Sequence, residues 1–260
     1  EYMKASEAKE GKIELTAEEE GLLKIDREKL NAVNAMGQMV LASRHGDFPV
    51  KKGDKIVGMR VLPLVIEEEK MDRVKEICGG EPIFPLLPFR KMKAGIVTTG
   101  SEVYYGRIKD QFTPVVKDKL EEAGMEVLGN ILCNDESDMV TGAIREWIEK
   151  GADVVVCTGG MSVDPDDRTP LAIRNASDEV ITYGAPVLPG AMFMLAYAGN
   201  LPVMGLPGCV MYSKRTIFDL VLPRAAAGER LRAEDFSVLG EGGLCLNCEV
   251  CTFPNCGFGK

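Results

Sequence analysis

Apolar and polar positions follow two different patterns on the two sides of residue 89. Before it, short apolar runs such as KIEL, GLLKI, MVLAS and IVGMRVLPLVI predict strands, and DREKLNAVNAM and EEEKMDRVKEI have the spacing of amphipathic helices. Residues 1–88 are therefore predicted to form a small mixed β/α domain. The segment GGEPIFPLLPF, residues 79–89, contains three prolines and predicts a linker between domains.

After the linker, strand-like runs alternate with amphipathic helical segments. The first four segments are predicted as strand, helix, strand and helix at residues 91–98, 108–123, 125–133 and 136–150. Trp147 lies on the apolar stripe of the second helix, so we expect it in the core. Weaker strands are expected around Val180, Met194 and Val203, before a last helix in MYSKRTIFDLVL. The alternation predicts an α/β fold, a doubly wound, mostly parallel sheet with helices on both faces.

The stretch ADVVVCTGGMSVDPDDRTPLAIRNA, residues 152–176, combines a buried strand, two glycines, a run of acids and a helix start. Gly159 and Gly160 allow positive φ and close approach of a ligand to the backbone. Thr169 and Pro170 predict an N-cap and a first helical position. The stretch is interpreted either as a site for a phosphorylated or anionic ligand, with or without a divalent cation, or as a tight turn whose acids are solvated or cap the helix.

Two other glycine loops, TTGSEVYYGRIKD and GLPGCVMYSKR, also follow predicted strands and precede helices. In chain order, residues 98–110 are the first loop, CTGGMSVDPDDRTP at 157–170 is the second loop, and residues 205–215 are the third loop. Ligands of parallel α/β sheets bind beyond the carboxyl ends of the strands, so all three loops are predicted to be neighbours at one rim. None of them contains GxGxxG or GxxxxGK[ST], which argues against a dinucleotide site or a Walker ATPase. Asp135 belongs to the same rim or caps the next helix, and Lys214 and Arg215 bring positive charge there or are solvated.

The composition and net charge of the chain argue against several classes of partner and site. The 260 residues include 31 Lys+Arg and 40 Asp+Glu, a net charge of −9, which argues against nucleic acid or an anionic membrane as partner. Because no apolar run reaches about 18 residues and no cationic leader opens the chain, we expect a soluble, cytoplasmic protein. The chain opens EYMK, so Glu1 is expected to lie inside a longer protein. His45, the only histidine, is expected in an exposed loop, which excludes a two-histidine metal site.

The cysteines are unevenly distributed. Four of the eight are scattered and are interpreted as small core residues, and the other four lie within the last sixteen residues as C-x2-C-x2-C-x4-C. The first three have ferredoxin-like spacing, which favours a [4Fe-4S] cluster, with Cys256 as the fourth ligand. Tetrathiolate Zn²⁺ is the alternative. Disulfides are a third possibility, but they conflict with a cytoplasmic location. Residues 236–260 are therefore predicted as a metal-binding tail, with the ligands Cys245, Cys248, Cys251 and Cys256.

The three loops carry a family resemblance. VTTGSEVYYGRIKD, VVVCTGGMSVDPDDRTP and MGLPG closely resemble the molybdopterin-binding domain shared by molybdopterin adenylyltransferases and molybdopterin molybdenumtransferases, over roughly residues 91–225. The resemblance implies that residues 89–235 form this domain. It implies Asp135 and Asp167 as the carboxylates needed for chemistry, with Asp110 and Glu102 at further acidic positions of the first loop. The implied pterin- and phosphate-binding residues are Thr99, Gly100, Ser101, Glu102, Gly159, Gly160, Ser162, Asp164, Thr169, Gly205, Pro207, Gly208 and Lys214.

The sequence also departs from that family. A molybdenumtransferase usually has a further β domain after its pterin domain, and here the cysteine tail stands in that place. The first ninety residues lack the motifs of that enzyme's other domains. They resemble the front part of a small group of molybdopterin-binding proteins with this tail. Binding of the pterin is therefore better supported than turnover.

The resemblance implies a role in molybdenum cofactor biosynthesis. The sequence GGMSVDPDD is closer to the molybdenumtransferases, which implies magnesium-dependent insertion of molybdate into molybdopterin or its adenylylated form. The alternatives are a non-catalytic carrier or sensor whose cysteine tail serves docking or redox chemistry, and an adenylyltransferase. The expected partners are the small-molecule pterin, a molybdoenzyme or another cofactor-assembly protein, and further copies of the chain in a dimer or trimer.

Overall fold

The computed structural model describes residues 2–162 and 167–260. It divides the chain into two compact units, Glu1–Phe89 and Arg90–Lys260. In the part of the chain so described, no helix combines the length and the apolar character needed to cross a bilayer.

The first unit contains two antiparallel sheets and two helices. A four-stranded sheet has the order β1-β2-β6-β4, and a three-stranded sheet has the order β5-β3-β7. The elements are β1 (Met3–Ala5), β2 (Lys12–Ala17), β3 (Gly21–Leu23), α1 (Arg27–Ala35), β4 (Met39–Ser43), β5 (Phe48–Val50), β6 (Lys55–Val61), α2 (Glu68–Cys78) and β7 (Leu86–Pro88). His45 lies exposed between β4 and β5, as predicted.

The proline-rich segment predicted as a linker is part of this unit, so that interpretation is wrong. Its residues Leu86–Pro88 form β7, which pairs with β3. Ile83 and Phe84, just before it, are 7% and 5% exposed. Proline is tolerated on a sheet edge, so the prolines do not prevent strand formation. The apolar side chains between them are stabilised by burial, which an exposed linker would not provide.

The second unit is built on one six-stranded sheet in the order β11-β12-β13-β10-β8-β9. Strands β13, β10, β8 and β9 are parallel to one another. The elements are β8 (Lys93–Thr99), α3 (Ser101–Tyr104), α4 (Phe112–Glu122), β9 (Glu126–Cys133), α5 (Ser137–Glu149), β10 (Val154–Thr158), α6 (Thr169–Ala176), β11 (Glu179–Tyr183), β12 (Met194–Ala198), β13 (Leu201–Leu206), α7 (Ile217–Ala226) and α8 (Ala233–Ser237), with short 3-10 helices at Gly208–Met211 and Val238–Gly240. The predicted α/β fold and its parallel strands are confirmed.

Helices cover the two faces of the parallel strands. Val97 packs in a core cluster with Trp147 of α5 and Ile173 of α6. The next residue, Thr98, points to the other face because side chains alternate along a strand. Its hydroxyl lies 3.0 Å from the hydroxyl of Thr113 in α4. Helices α5 and α6 therefore cover one face, and α4 covers the opposite face.

Strand β12 runs antiparallel to both of its neighbours, a detail that the sequence did not predict. Only Gly199 and Asn200 separate β12 from β13, and Gly199 has φ +60°. A two-residue connection joins only antiparallel strands, since a parallel crossover needs a dozen or more residues. The loop length therefore fixes the direction of β12.

The last predicted helix begins later than its apolar pattern indicates. Helix α7 starts at Ile217, where Thr216 and Asp219 form a capping box. The Thr216 hydroxyl accepts a hydrogen bond from the Phe218 N–H (3.2 Å), and Asp219 Oδ2 accepts one from the Thr216 N–H (2.8 Å). These bonds satisfy N–H groups that the first turn leaves unpaired, so they set the helix start.

Trp147 is buried against the sheet, as predicted, and it requires glycine beneath it. A Cβ on Gly95 would lie 2.3 Å from Trp147 Cγ. The indole Nε1–H donates to the Ile96 carbonyl at 2.8 Å, which holds the ring in place. We therefore expect Gly95→Ala to lower the free energy of unfolding by about 1–3 kcal/mol, since the ring must move or the strand must shift. Urea denaturation measures this change.

Gly142→Ala is the matched control. Gly142 lies on the exposed side of α5, the same helix, and a Cβ there meets no heavy atom within 4 Å. Alanine in a helix interior is favoured over glycine, so this variant should gain about 0.5–1 kcal/mol. Equal stability of the Gly95→Ala variant and the wild type would contradict the packing described for Trp147.

Candidate functional site

The strand register brings the three predicted loops to one rim. Thr158 at the end of β10 is the partner of Thr98 on β8 and of Leu206 on β13. Thr99 at the end of β8 is the partner of Cys133 at the end of β9. The four parallel strands therefore end almost level, and the loops that follow them leave the sheet side by side.

The first loop turns at Gly100, which has φ +139°. A Cβ on Gly100 would meet no heavy atom within 4 Å, so the backbone here borders open space. Its N–H donates to the Cys133 carbonyl at 3.1 Å, which ties this loop to the end of β9. Ser101 begins α3 immediately afterwards, and Glu102 in α3 is exposed.

Asp135 holds the start of the first loop. Its Oδ2 accepts a hydrogen bond from the Ser101 N–H at 2.9 Å. The alternative interpretation, that Asp135 caps α5, is wrong: Glu136 occupies the N-cap position of α5 without a side-chain capping bond. The carboxylate instead reaches an N–H that the short helix α3 leaves unpaired. Asp135 thereby places a negative charge at the rim.

The second loop is locked against the first. Gly159 and Gly160 have φ +84° and +56°, as predicted for this turn. A Cβ on Gly159 would lie 2.2 Å from the Thr99 carbonyl oxygen, and one on Gly160 would lie 2.7 Å from the Thr169 hydroxyl. Close contact with the first loop therefore requires glycine at position 159, and close contact with Thr169, within the second loop, requires glycine at position 160, in addition to the turn itself.

Thr169 joins the two loops and is not the N-cap of α6. Its hydroxyl lies 3.1 Å from the Thr99 hydroxyl, in a buried contact. Thr169 is the first residue of α6, and Arg168 occupies the N-cap position without a side-chain capping bond. The predicted cap is wrong because the Thr169 side chain is directed to a partner 70 residues away in sequence.

The Asp167 carboxylate makes a hydrogen bond within the second loop. Its Oδ2 accepts a hydrogen bond from the Ser162 N–H at 2.6 Å. Burial, and to a lesser degree the Asp167 carboxylate, raise the pKa of Tyr183 above its ordinary value. Tyr183 was not predicted from the sequence, since it follows the loop by a helix and a strand. The predicted Asp164 lies outside the described residues.

The third loop exposes Gly208 at the rim, whereas Pro207 is buried and Gly205 lies within β13 below the rim. Gly208 is exposed, and a Cβ there would meet no heavy atom within 4 Å. Gly205 is buried in β13, and a Cβ there would lie 2.6 Å from Met161 Cε and 2.8 Å from Ile173 Cδ1. The structure thus gives Gly205 a packing role, and it exposes the backbone at Gly208.

Two further predicted residues make contacts elsewhere. Asp110 accepts hydrogen bonds from the Phe112 N–H (2.8 Å) and the Thr113 N–H (3.0 Å), and its other oxygen accepts from the Thr113 hydroxyl and from Asn130 Nδ2. It thereby stabilises the start of α4. The Lys214 ammonium donates to the Glu249 carbonyl at 2.8 Å, so this side chain contacts the cysteine tail.

A chain of buried hydroxyl groups beneath the rim was missed from the sequence. Thr158 donates to Thr98 (3.3 Å), and Thr98 donates to Asn130 Oδ1 (3.1 Å). Asn130 Nδ2 in turn donates to the Thr113 hydroxyl at 2.7 Å. These bonds join β10, β8, β9 and α4. Threonine at matching positions near the ends of β8 and β10 was the only available sequence signal.

The cysteines of the sheet have the chemistry of core residues. Burial raises the pKa of Cys133 to about 11 and raises the pKa of Cys157 further. Both thiols are therefore protonated and unreactive near neutral pH. They are free cysteines, and the chemistry of the rim must come from backbone amides, hydroxyls and carboxylates.

The four tail cysteines line one cavity of about 550 Å³, together with residues 212–215 at the end of the third loop. Cys248 and Cys251 are exposed, and Cys245 and Cys256 are partly buried. Over residues 2–162 and 167–260, no three His, Cys, Asp or Glu side chains already stand in a metal-binding arrangement. A metal in the tail would therefore require the cysteine loop to close.

Asp167→Asn tests the placement of Asp167 beside Tyr183. A nearby carboxylate disfavours the phenolate, so removal of its charge should lower the pKa of Tyr183, while burial keeps that pKa above the ordinary value. The titration is followed by NMR of ¹³Cζ-labelled tyrosine, with Tyr183→Phe to assign the signal. Asp178→Asn, at the opposite end of β11, is the control and should leave the pKa unchanged. Equal effects of the two substitutions would contradict the placement.

Comparison with known proteins identifies the family. The family model described as "Probable molybdopterin binding domain" matches residues 95–227. The CinA-like proteins of Mycobacterium tuberculosis and Mycobacterium avium are 38% and 36% identical over 77 residues, which are 30% of this chain and 18% of each relative. Among solved structures, the molybdopterin biosynthesis enzyme MoaB of Thermus thermophilus is 22% identical, with 53% of this chain and 98% of that chain covered and a TM-score of 0.45. The tungsten cofactor synthesizing protein MoaB of Pyrococcus furiosus is 21% identical, with 52% and 88% covered and a TM-score of 0.41.

The family assignment rests on the sequence match and agrees with the site. The curated relatives are matched over 18% of their length, so their whole-protein activities do not transfer to this chain. The family match, in contrast, spans β8 to α7 and contains all three loops of the rim. Because it covers just over half of the residues, the chain belongs to the molybdopterin-binding domain family.

Proposed function

We propose that the rim formed by the three loops binds molybdopterin or its adenylylated form and supports magnesium-dependent insertion of molybdate. The observation that carries this proposal is the level ending of four parallel strands, with Gly100 and Gly208 bordering open space on the first and third loops. Backbone amides in such turns bind phosphate without a cationic surface. This suits a chain with a net charge of −9.

The proposed pterin phosphate lies against the backbone and not against a basic patch. Gly100 has φ +139° and Gly160 has φ +56°, so both turns use backbone conformations that favour glycine, and a Cβ on Gly100 would meet no heavy atom within 4 Å. In the free protein the contact Thr99–Thr169 joins these two turns, and the contact Ser101–Asp135 joins the first of them to the connection between β9 and α5. A site that is already ordered loses less conformational entropy on binding.

The carboxylates supply the proposed magnesium ligands. Proteins hold Mg²⁺ through one or two carboxylates together with substrate phosphates and waters, so a preformed cluster of three acids is not required. Asp135 and Asp167 each use Oδ2 to accept a loop N–H, which orients the carboxylate. Oδ1 of each is the atom proposed to face the cation. When bound, the cation would neutralise phosphate and molybdate oxygens.

Transfer of the product to a molybdoenzyme or another cofactor-assembly protein, and assembly of the chain into a dimer or trimer, belong to the same proposal. The second candidate function is a non-catalytic carrier or sensor of the pterin. It is favoured by the engagement of Asp135 and Asp167 with loop N–H groups, since this engagement alone explains both residues as supports of a binding site. The two functions differ in what the carboxylate charges do, which makes them separable by substitution.

Asp135→Asn and Asp167→Asn distinguish insertion from carriage. Asparagine retains an oxygen that accepts the loop N–H and removes the charge, so pterin affinity should change by no more than about threefold. Molybdate insertion should fall by roughly 10–100-fold or more, as expected when a metal site loses an anionic ligand. The measurements are pterin binding by fluorescence and formation of active cofactor from adenylylated molybdopterin, Mg²⁺ and molybdate.

Asp153→Asn provides the control, because its Oδ2 accepts the Lys93 N–H at the start of β8, at the far end of the sheet. It should affect neither measurement. Insertion that proceeds at the wild-type rate in both rim variants would support the carrier and contradict the proposed catalytic role. AMP transfer from ATP to molybdopterin, lost in the same variants, would assign the carboxylates to an adenylyltransferase.

Gly208→Ala tests whether the ligand approaches the third loop. Gly208 does not have a positive φ and a Cβ there meets no neighbouring atom, so the free protein should keep its stability. If the pterin phosphate lies against this backbone, the added methyl group should weaken binding by about tenfold, the cost of one poorly placed contact. Gly142→Ala, in open space on α5, is the matched control. Unchanged affinity of the Gly208→Ala variant would remove the third loop from the site.

A further inference from the structure

The cysteine tail forms a cavity of its own at the end of the second unit. Its volume is about 550 Å³, and Cys245, Cys248, Cys251 and Cys256 all line it. The opposite wall comes from residues 212–215, which directly follow the 3-10 helix of the third loop. Four thiols from one short segment therefore line one cavity, although nothing in the rim chemistry uses them.

The segment that carries these thiols is anchored at both ends. The Cys245 N–H donates to the Leu188 carbonyl at 2.8 Å, and the Gly259 N–H donates to the Gly242 carbonyl at 2.9 Å. Phe258 is 4% exposed and fixes the far end by burial. Between these anchors, residues 246–257 belong to neither a helix nor a strand. This part of the chain has little regular backbone pairing, so a ligand bound between the thiols would supply much of its order.

Cationic side chains border the thiols. Lys214 Nζ donates to the Glu249 carbonyl at 2.8 Å, within the cysteine loop. The Arg215 guanidinium lies 5.0 Å from the centre of the Phe253 ring, and Arg215 lines the same cavity as the four cysteines. Arg215 is itself held by Asp219 Oδ1 at 2.8 Å. Positive charge at this position would offset part of the negative charge of a metal ion that is ligated by four thiolates.

We propose that this cavity binds a metal centre through the thiolates of Cys245, Cys248, Cys251 and Cys256. Ligation replaces four S–H bonds by four metal–sulfur bonds and releases four protons to solvent. The loop closes around the metal, because the thiols are not in a metal-binding arrangement in the described residues. Soft metals that accept four thiolates are the ligand class; the C-x2-C-x2-C spacing favours an iron–sulfur cluster, and Zn²⁺ uses the same donors.

The proposal is independent of the proposed pterin function. The anchoring bonds, the cavity and the cationic wall lie outside the rim contacts formed by Thr99, Asp135 and Asp167. A metal centre in the tail would remain if the rim proved to bind another ligand. Conversely, an absence of metal would leave the pterin site unaffected, so the two proposals fail separately.

The test uses the full chain purified without oxygen. It is loaded either with equal amounts of Fe²⁺ and Fe³⁺ together with sulfide, which supply the mixed oxidation state of a [4Fe-4S]²⁺ cluster, or with Zn²⁺, then desalted and analysed for metal and for reactive thiols. Retained iron and sulfide, with visible absorption that bleaches on reduction with dithionite, would support the proposal as an iron–sulfur centre. Retained Zn²⁺, with Co²⁺ giving the absorption of tetrahedral thiolate coordination, would support it as a zinc centre. In either case the tail thiols should become protected from a thiol reagent.

Matched serine variants locate the site. Cys248→Ser with Cys251→Ser changes two exposed thiols and should preserve the fold, as checked by circular dichroism, while bound metal is lost. Cys78→Ser removes an exposed free thiol in the first unit and should leave metal binding unchanged. Failure of the wild type to retain either metal, equal metal in the double variant, or tail cysteines that are recovered as disulfides would overturn the proposal.

Discussion

The backbone register of β8 between β9 and β10 is the constraint on which the rest of the second unit depends. It aligns Thr98 with Thr158, and Thr99 with Cys133, so that neighbouring parallel strands end level. Parallel strands cannot shift by one residue without exchanging their buried faces, because side chains alternate along a strand. The core cluster around Val97 and Trp147 therefore fixes the height of every loop at the rim.

Because neighbouring strands end level, polar side chains of the first and second loops can contact each other at the rim. Thr99 contacts Thr169, and Asp135 holds the Ser101 N–H, so the first loop is bonded to the second loop and to the connection between β9 and α5. Gly159 and Gly160 permit this close approach, since a Cβ on Gly159 would collide with Thr99 of the first loop and a Cβ on Gly160 would collide with the Thr169 hydroxyl that contacts Thr99. The glycines that border open space, by contrast, leave the backbone accessible to a ligand. The same residue type thus serves packing in the second loop and exposure in the first and third.

Sequence periodicity was sufficient to predict the helices, the strands and the order of the loops, but it could not predict contacts between residues that are distant in sequence. The helix predicted at 136–150 and the burial of Trp147 followed from a local stripe, and both agree with α5. The cap at Thr169 was predicted wrongly, and the sequence left open whether Asp135 lies at the rim or caps the next helix, because each side chain bonds to a loop that only the folded sheet brings near. The role of Gly205 was also hidden, since close packing against Met161 leaves no local signal. Similarly, the proline-rich stretch was predicted as a linker because the sequence does not show that Leu86–Pro88 pairs with β3.

The central claim is that one anionic ligand contacts all three loops at once, and amide hydrogen exchange tests it most directly. Exchange rates of the full chain are compared with and without molybdopterin, residue by residue. A shared site predicts slower exchange together at residues 100–101, 159–162 and 208–209, with the first unit unchanged. Protection confined to a single loop, or located away from the carboxyl ends of β8, β10 and β13, would contradict the account.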